Sequence, residues 1–404
     1  MQEGSKATVR SAAGSGESAA AVGRQRWALL AAAIAVFGGL YLRIFTAPPP
    51  AGFASPKAAA PAVSSAQAFY RPQLLPNSTT PSVHSATAAE ISEGRLRAFW
   101  YGGSREGASD VAIYTSVFSP PERTWSPERV LVTRESAQRH LRRYVRKLGN
   151  PAVGRDRSGR LWLFFVSVSV GGWAGSAVNL MVSEDEGETW SPPRRLVTSP
   201  FFNISTLVKG PPLQFADGTI GLPVYHEMAG KFAELLRLDA EGHAVRKTRL
   251  SWGRSSLQPV IVPRSETEAV GFMRYAGDPP NRILVVRTSD AGAHWSAPVK
   301  IELPNPNAAI GSVLLADGSL LLVFNDAPEN RENLSLAISK DFGTTWRIAH
   351  RFEGDPGSPQ APVPEYSYPW IMQDQAGDIH VLYTWGRSRI KHVHFNLAWL
   401  EGRY

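Results

Sequence analysis

The chain has 404 residues, 43% of them hydrophobic, with 12 Trp, 35 Gly, no cysteine and a formal net charge of +8. The lack of cysteine excludes disulfides and thiolate metal sites, and the Trp and Gly content suits a large core with many turns, as in an all-β protein. Six Lys or Arg against two Glu in residues 1–68 carry half of the surplus, and the remaining +4 is too dilute over the rest of the chain for a nucleic-acid footprint.

The stretch Trp27 to Leu42 is uncharged and mostly apolar, follows Lys6, Arg10, Arg24 and Arg26, and is extended past Arg43 by Ile44 and Phe45. It predicts a transmembrane signal anchor over 27–45, with a basic cytoplasmic leader over 1–26. Everything after the span then lies in the periplasm or outside the cell, single-pass in a bacterial inner membrane. A cleaved signal peptide is the rival reading. The long charged leader and the absence of a small-residue cleavage site at Ala47-Pro48-Pro49-Pro50 weigh against it. Residues 46–68, rich in Ala, Pro and Ser, read as a disordered tether, which leaves 69–404 as the folded domain.

Within that domain one signal recurs, a small turn followed by an apolar run that reads as a strand. It opens at Glu93-Gly94, Ser158-Gly159, Asp217-Gly218, Asp317-Gly318 and Ala376-Gly377, and the run Glu268 to Arg274 fills the remaining gap without the glycine. A period of about 50 to 65 residues is that of a four-stranded blade, so six units predict a six-bladed β-propeller. A second signal follows most units, Ser-x-Asp-x-Gly-x-Thr-Trp. It is intact at Ser183–Trp190 and Ser339–Trp346, worn at Thr288–Trp295, and degenerate at Ser119–Trp125 and Asp239–Gly242. Its logic is local: the Asp accepts backbone N–H bonds of a tight turn, the Gly takes a conformation other residues resist, and the Trp anchors the hairpin. The basic cluster from Arg139 to Lys147 between the first two units reads as a solvated insertion, with anionic glycans or lipid head groups as the alternative partners.

In a propeller the inner strands begin at one funnel, and the loops after the second strands return to it. The inner strands are expected to begin near His84-Ser85, Asn150-Pro151, Lys209-Gly210, Leu257-Gln258, Asn305 to Asn307 and Tyr366 to Tyr368. The loops bring Tyr101 through Asp110, Tyr225-His226-Glu227, Arg274-Tyr275, Asn325 through Arg331, and Trp385-Gly386-Arg387. Several arginines, carboxylates and tyrosines at one mouth suit an anionic sugar, with Arg forks on its carboxylate and carboxyl groups moving protons.

From about residue 70 to 400 the chain resembles the bacterial sialidases, in particular the sialidase-like branch with BNR, or Asp-box, repeats. The strings that carry the resemblance are Gly103 to Ser116, Glu365-Tyr366-Ser367-Tyr368-Pro369 and Tyr383 to His392, with the order Asp110, Arg274, Arg331, Tyr366. The resemblance implies Asp110 as general acid and base, Tyr366 as the nucleophile, and Arg274 and Arg331 on the substrate carboxylate. A neutral nucleophile suits an anomeric centre that bears a carboxylate, because an acidic one is repelled.

Two departures from the family pattern stand out. The family's first inner strand carries Arg-Ile-Pro where this chain has His84-Ser85-Ala86, so Arg105 or Arg387 is the expected replacement for the third clamp arginine. The Glu that assists the Tyr is Gln258 here, and Glu227 is the expected substitute. Tyr368, His84 and Gln258 join the substrate-binding set. No metal constellation or cofactor fingerprint is read; His392 and His394 have no acidic residue nearby in the sequence. The expectation is a membrane-tethered exo-glycosidase that removes a terminal sialic acid or related acidic sugar with retention. The alternative is a non-catalytic, lectin-like propeller for an acidic envelope polysaccharide.

Overall fold

The computed structural model describes residues 24–39, 51–54, 67–76, 80–199, 203–354 and 364–403. The chain divides into two units, Met1–Pro50 and Ala51–Tyr404. In the first unit, residues 24–39 form a helix. Among the described residues no helix is long and apolar enough to cross a membrane. This corrects the expected transmembrane anchor over 27–45 and the inner-membrane location built on it. A helix over 24–39 rises roughly 24 Å, short of the ~30 Å hydrocarbon core. Residues 40–45 of the expected span lie outside the described residues.

The second unit consists of six antiparallel sheets, the blades of a propeller. The inner strands are Ser82–Glu90, Lys147–Arg155, Leu207–Val208 with Leu213–Gln214, Ser256–Pro263, Gly311–Leu314 and Tyr366–Gln373. The apolar runs read from the sequence are the second strands, among them Leu96–Gly103, Leu161–Val168 and Ile379–Trp385. Leu161–Val168 is buried along its whole length, because each blade is covered on both faces by its neighbours and an alternating pattern gives way to a continuous one.

The last blade takes its outer strand from the N-terminal side of the domain. Tyr70–Leu74 pairs antiparallel with Arg389–Phe395, Tyr70 standing opposite Phe395. Asn396 reinforces this seam, its Nδ2 donating to the Gln67 carbonyl and its Oδ1 accepting from the Phe69 N–H. At the axis, the fully buried Lys209 of blade three donates to the carbonyls of Ile310 in blade five and Pro369 in blade six.

The Asp turns have the bonding their sequence implies. Asp185 Oδ1 accepts from the Thr189 N–H at 2.8 Å, Ser183 Oγ accepts from the Gly187 N–H at 2.8 Å, and Gly187 sits at φ +92°. The Trp190 indole N–H closes the turn onto the Gly187 carbonyl. The worn copy keeps the geometry by substitution, with the His294 ring meeting Asp290 at 2.6 Å where the intact copies use a Thr hydroxyl. These turns also join blades: the buried Arg97 of blade one pairs with Glu188 in the turn of blade two.

Within the stretch expected to be a tether, residues 51–54 lie on the domain. Phe53 is fully buried and stacks on Phe215, its N–H donates to the Glu266 carbonyl at 2.7 Å, and the Ala54 N–H donates to the Gln214 carbonyl. This segment spans the seam between blades three and four. The remaining expected tether residues, apart from 67 and 68, lie outside the described residues.

Two glycines separate backbone strain from packing. A Cβ on Gly187 strikes the Arg97 side chain, whereas one on Gly218, at φ +83°, meets open space. Gly187→Ala is expected to destabilise the domain by about 2 to 3 kcal/mol and Gly218→Ala by about 1 kcal/mol, measured by urea unfolding. Equal losses would show that the Arg97 contact contributes nothing.

Candidate functional site

Five of the inner strands carry a left-handed residue near their start: Ser85, Asn150, Gln258, Asn307 just ahead of its strand, and Tyr368, with φ between +35° and +58°. In blades one, two, four and six a break in register follows at the same place, between His84 and Thr87, Gly149 and Ala152, Leu257 and Val260, and Ser367 and Trp370. A bulge turns one side chain out of the sheet plane. Here Asn150, Gln258 and Tyr368 all line one cavity of about 260 Å³ at the funnel. Proline follows each of these three residues, at Pro151, Pro259 and Pro369, and a bulge is where a sheet tolerates it.

A hydrogen-bonded belt runs around this cavity from blade to blade. Asn150 Nδ2 donates to the Tyr225 hydroxyl at 3.1 Å, and Gln258 Nε2 donates to the Tyr368 hydroxyl at 3.1 Å and to that of Tyr225 at 3.4 Å. Arg274 reaches Gln258 Oε1 at 3.2 Å and Asn307 Oδ1 at 2.6 Å, and Arg331 donates to the Asn307 carbonyl at 2.7 Å. Glu365 then joins Arg331, at 3.1 Å, to Arg387, which grips it through Nε at 2.8 Å and Nη2 at 3.3 Å. Arg387 closes the belt on Glu106 of blade one at 2.8 Å.

The charges differ in character. Burial acts to raise the Glu365 carboxyl, but the Arg387 and Arg331 guanidiniums outweigh it and hold the group at about 2. Burial likewise opposes ionisation of Glu106, and its neighbours, Arg387 and the Tyr101 hydroxyl among them, overcome it. Glu227 has no ion pair among the described residues, and burial raises its pKa against the more distant pull of Arg274, Lys231 and Lys147. Burial lowers His84 to about 4, so its imidazole is neutral near neutral pH. That ring lies 4.3 Å from the ring of Tyr368, and its Nδ1 is buried without a hydrogen-bond partner among the described residues.

Of the residues expected at the site, His84, Glu227, Gln258, Arg274, Arg331, Tyr368 and Arg387 line the cavity. Asp110, Arg105 and Tyr366 do not. Asp110 is exposed and ties its own loop, accepting from the Ser104 N–H at 2.8 Å and hydroxyl at 3.0 Å. Arg105 is exposed beside it. Tyr366 packs into an apolar cluster with Tyr383 and Trp385 between blades five and six. Residues two apart on a strand share a face, which makes Tyr366 and Tyr368 alike in the sequence. The bulge between Ser367 and Trp370 separates them, and the signal for it was the proline after Tyr368, as after Asn150 and Gln258.

Glu106, Asn150, Trp173, Leu207 and Tyr225 also line the cavity; Glu106, Asn150 and Tyr225 stand in stretches expected at the funnel but were given no role, and Trp173 and Leu207 were not expected there. Asn150 carried the same following proline, and Tyr225 ends a second strand expected at the funnel; Trp173 comes from a loop whose path no local pattern encodes. His392 and His394, read as lacking an acidic partner, are tied to acids through space, His394 directly and His392 by way of His380. His392 bonds His380 at 2.9 Å, which bonds Asp374 at 3.1 Å, and His394 bonds Asp378 at 3.0 Å. The Trp125 indole donates to His392 Nδ1, so this chain ties blade six to blade one. A possible set of cation ligands among the described residues is Asp239, Glu241 and His243. Asp239 there accepts the backbone N–H groups of the other two, as a turn cap does.

The sequence matches a family described as a BNR repeat-like domain over residues 94–381. Among solved structures the fold is similar to a Hadza microbial sialidase, with a TM-score of 0.63 and 17% identity over 78% of this chain and 66% of that one. It is also similar to a protein of unknown function from Dyadobacter fermentans, at 0.64 and 14% over 81% and 99% of the two chains. The NanB sialidase from Streptococcus pneumoniae gives 0.64 and 11% over 80% and 70%. The chain thus spans just under two thirds of the length of the Hadza sialidase. At these identities the likeness is one of fold. No curated protein matches the sequence.

The depressed Glu365 carboxyl has a measurable consequence. A carboxyl whose folded pKa lies below its unfolded value stabilises the fold above about pH 4.5 and loses that contribution as pH falls through the folded value. Between pH 6 and pH 2.5, wild type is expected to lose about 2 kcal/mol more stability than Glu365→Gln in urea unfolding, the partial exposure of the pair being allowed for. Parallel profiles would show that Glu365 gains nothing from its two arginines.

Proposed function

Because the chain belongs to the BNR repeat-like family of sialidase-type propellers, we propose that its funnel binds a terminal acidic sugar, sialic acid or a close relative, and cleaves it with retention of configuration. The observation that carries this reading is the Tyr368 hydroxyl at the cavity beside Arg274 and Glu227, with no carboxylate bonded to that arginine among the described residues. Arg274 and Arg331 hold the sugar's carboxylate. Arg274 is the stronger anchor, since Arg331 is already paired with Glu365.

The covalent step assigns each proton. Tyr368 Oη attacks the anomeric carbon and releases its proton to solvent water at the funnel, and Glu227, whose pKa burial raises, gives the proton of its acid form to the departing glycosidic oxygen. Water then attacks the same carbon, Glu227 takes the water's proton, and Tyr368 leaves and regains a proton from solvent. In this assignment Tyr368 takes the role first expected of Tyr366, and Glu227 that of Asp110. A phenol is the nucleophile that the substrate carboxylate does not repel.

One observation favours a second reading, a lectin-like module that binds without cutting. Gln258 donates to the Tyr368 hydroxyl and accepts from Arg274, and an amide cannot take a phenolic proton.

The deciding assay is hydrolysis of a fluorogenic α-sialoside by the full chain. Turnover is expected to fall by at least ~100-fold in Tyr368→Phe and in Glu227→Gln, and to stay within about threefold in Asp110→Asn. Loss in Asp110→Asn with retention in Tyr368→Phe would overturn the assignment. The activity is also expected to decline as pH rises through the raised Glu227 pKa, because the deprotonated carboxylate cannot act as the acid. If wild type binds sialic acid by calorimetry without turnover, Gln258→Glu is expected to raise turnover to a measurable rate. Binding that stays silent in both supports the lectin-like reading.

A further inference from the structure

The cavity at about 260 Å³ has the size of one sugar residue, so the rest of any longer glycan must run across the rim. The rim over blade two is cationic. Lys147 begins the inner strand Lys147–Arg155, and its Nζ lies 3.7 Å from the ring centre of Trp173, a residue that lines the cavity. That indole is seated on Gly149, where any Cβ would come within 2.6 Å of the ring. On its other side Lys147 lies against Gly107, next to Glu106. No ion pair among the described residues involves it, and burial lowers its pKa while Glu106 and Glu227 pull the other way.

Outward from Lys147 the chain carries Arg146, Arg143 and Arg142, all exposed. Arg146 is held in place through Nη1, which donates to the Gly171 carbonyl at 3.0 Å in the loop that bears Trp173. Arg142 ends the helix Arg134–Leu141 in a left-handed conformation that turns the chain toward the strand. Four cations therefore lie within six residues that lead up to the cavity, and none of the four is neutralised by a carboxylate among the described residues.

We infer that the segment from Arg142 to Lys147 is a cationic track for the continuation of a polyanionic glycan whose end sugar occupies the funnel. The substrate class is a glycan with acidic groups on successive sugars, in place of a single acidic sugar capping a neutral chain. This rests on the acidic-sugar reading of the cavity and extends it by naming what lies beyond the first residue. Such exposed cations each add little, but together they favour longer chains and do so in a salt-dependent way.

Calorimetry on the full chain tests this with two probe series, N-acetylneuraminic acid against its α2,8-linked tetramer, and galacturonic acid against its tetramer. In at least one series the tetramer is expected to bind about tenfold more tightly than the monomer at ~20 mM salt, and within about twofold of it at ~300 mM. The advantage is expected to fall to about twofold when Lys147→Gln is combined with Arg142→Gln, Arg143→Gln and Arg146→Gln, and to persist in Lys147→Arg. The salt series needs no substitution, so it stands even if the quadruple variant fails to fold. Equal affinity for monomer and tetramer in wild type, or an advantage that survives both salt and the quadruple variant, overturns the track while leaving the cavity's reading intact. Binding to phosphatidylglycerol vesicles that the quadruple variant loses, without any chain-length effect, assigns the segment to a lipid surface and also overturns it. No binding of any acidic sugar removes the acidic-sugar reading and this inference together.

Discussion

Closure of the ring is the constraint on which the rest depends. Six blades can direct six inner strands at one axis only if the last is locked to the first, and the pairing of Tyr70–Leu74 with Arg389–Phe395 provides that lock. The His380, His392 and Trp125 bonds strengthen the adjoining seam. Backbone pairing across the closure is cooperative with packing, because each blade buries its apolar second strand against both neighbours. A ring opened at this seam would expose two sheet faces as well as two edges.

With the ring closed, the funnel becomes a place where groups from distant parts of the chain interact at hydrogen-bond distance. The belt from Asn150 to Glu106 crosses all six blades, and its members stand up to 281 residues apart in the chain. It also distributes charge. Glu365 neutralises much of Arg331 and Arg387, which leaves Arg274 and the rim cations with capacity for an incoming anion. Low local dielectric makes each of these assignments count for more than it would in water.

The same geometry sets where site side chains stand, largely apart from what they are. In blades two, four and six the bulge near the start of the inner strand presents one side chain to the funnel, Asn150, Gln258 and Tyr368 in turn. The backbone therefore tolerates exchange at these positions, and Gln258 keeps its contacts with Tyr368, Tyr225 and Arg274 as an amide. What such an exchange alters is proton chemistry, since an amide of similar shape donates where a carboxylate accepts.

The sequence by itself determined the fold class, the number of blades and the Asp turns, because these rest on local periodicity and on bonds between residues at most four apart. It also placed Arg274, Arg331, Arg387, Gln258, His84 and Glu227 at the funnel, since strand ends follow from strand positions. The apolar stretch at the N-terminus misled because its composition resembles a span while its described helix is too short for one. Only the tertiary structure decided which of Tyr366 and Tyr368 lines the cavity, seated Phe53 between two blades, drew Trp173 to the cavity, and left Asp110 off its lining. Those outcomes depend on a bulge that reverses one side chain, on loop paths, and on partners hundreds of residues away, none of which a period along the chain records.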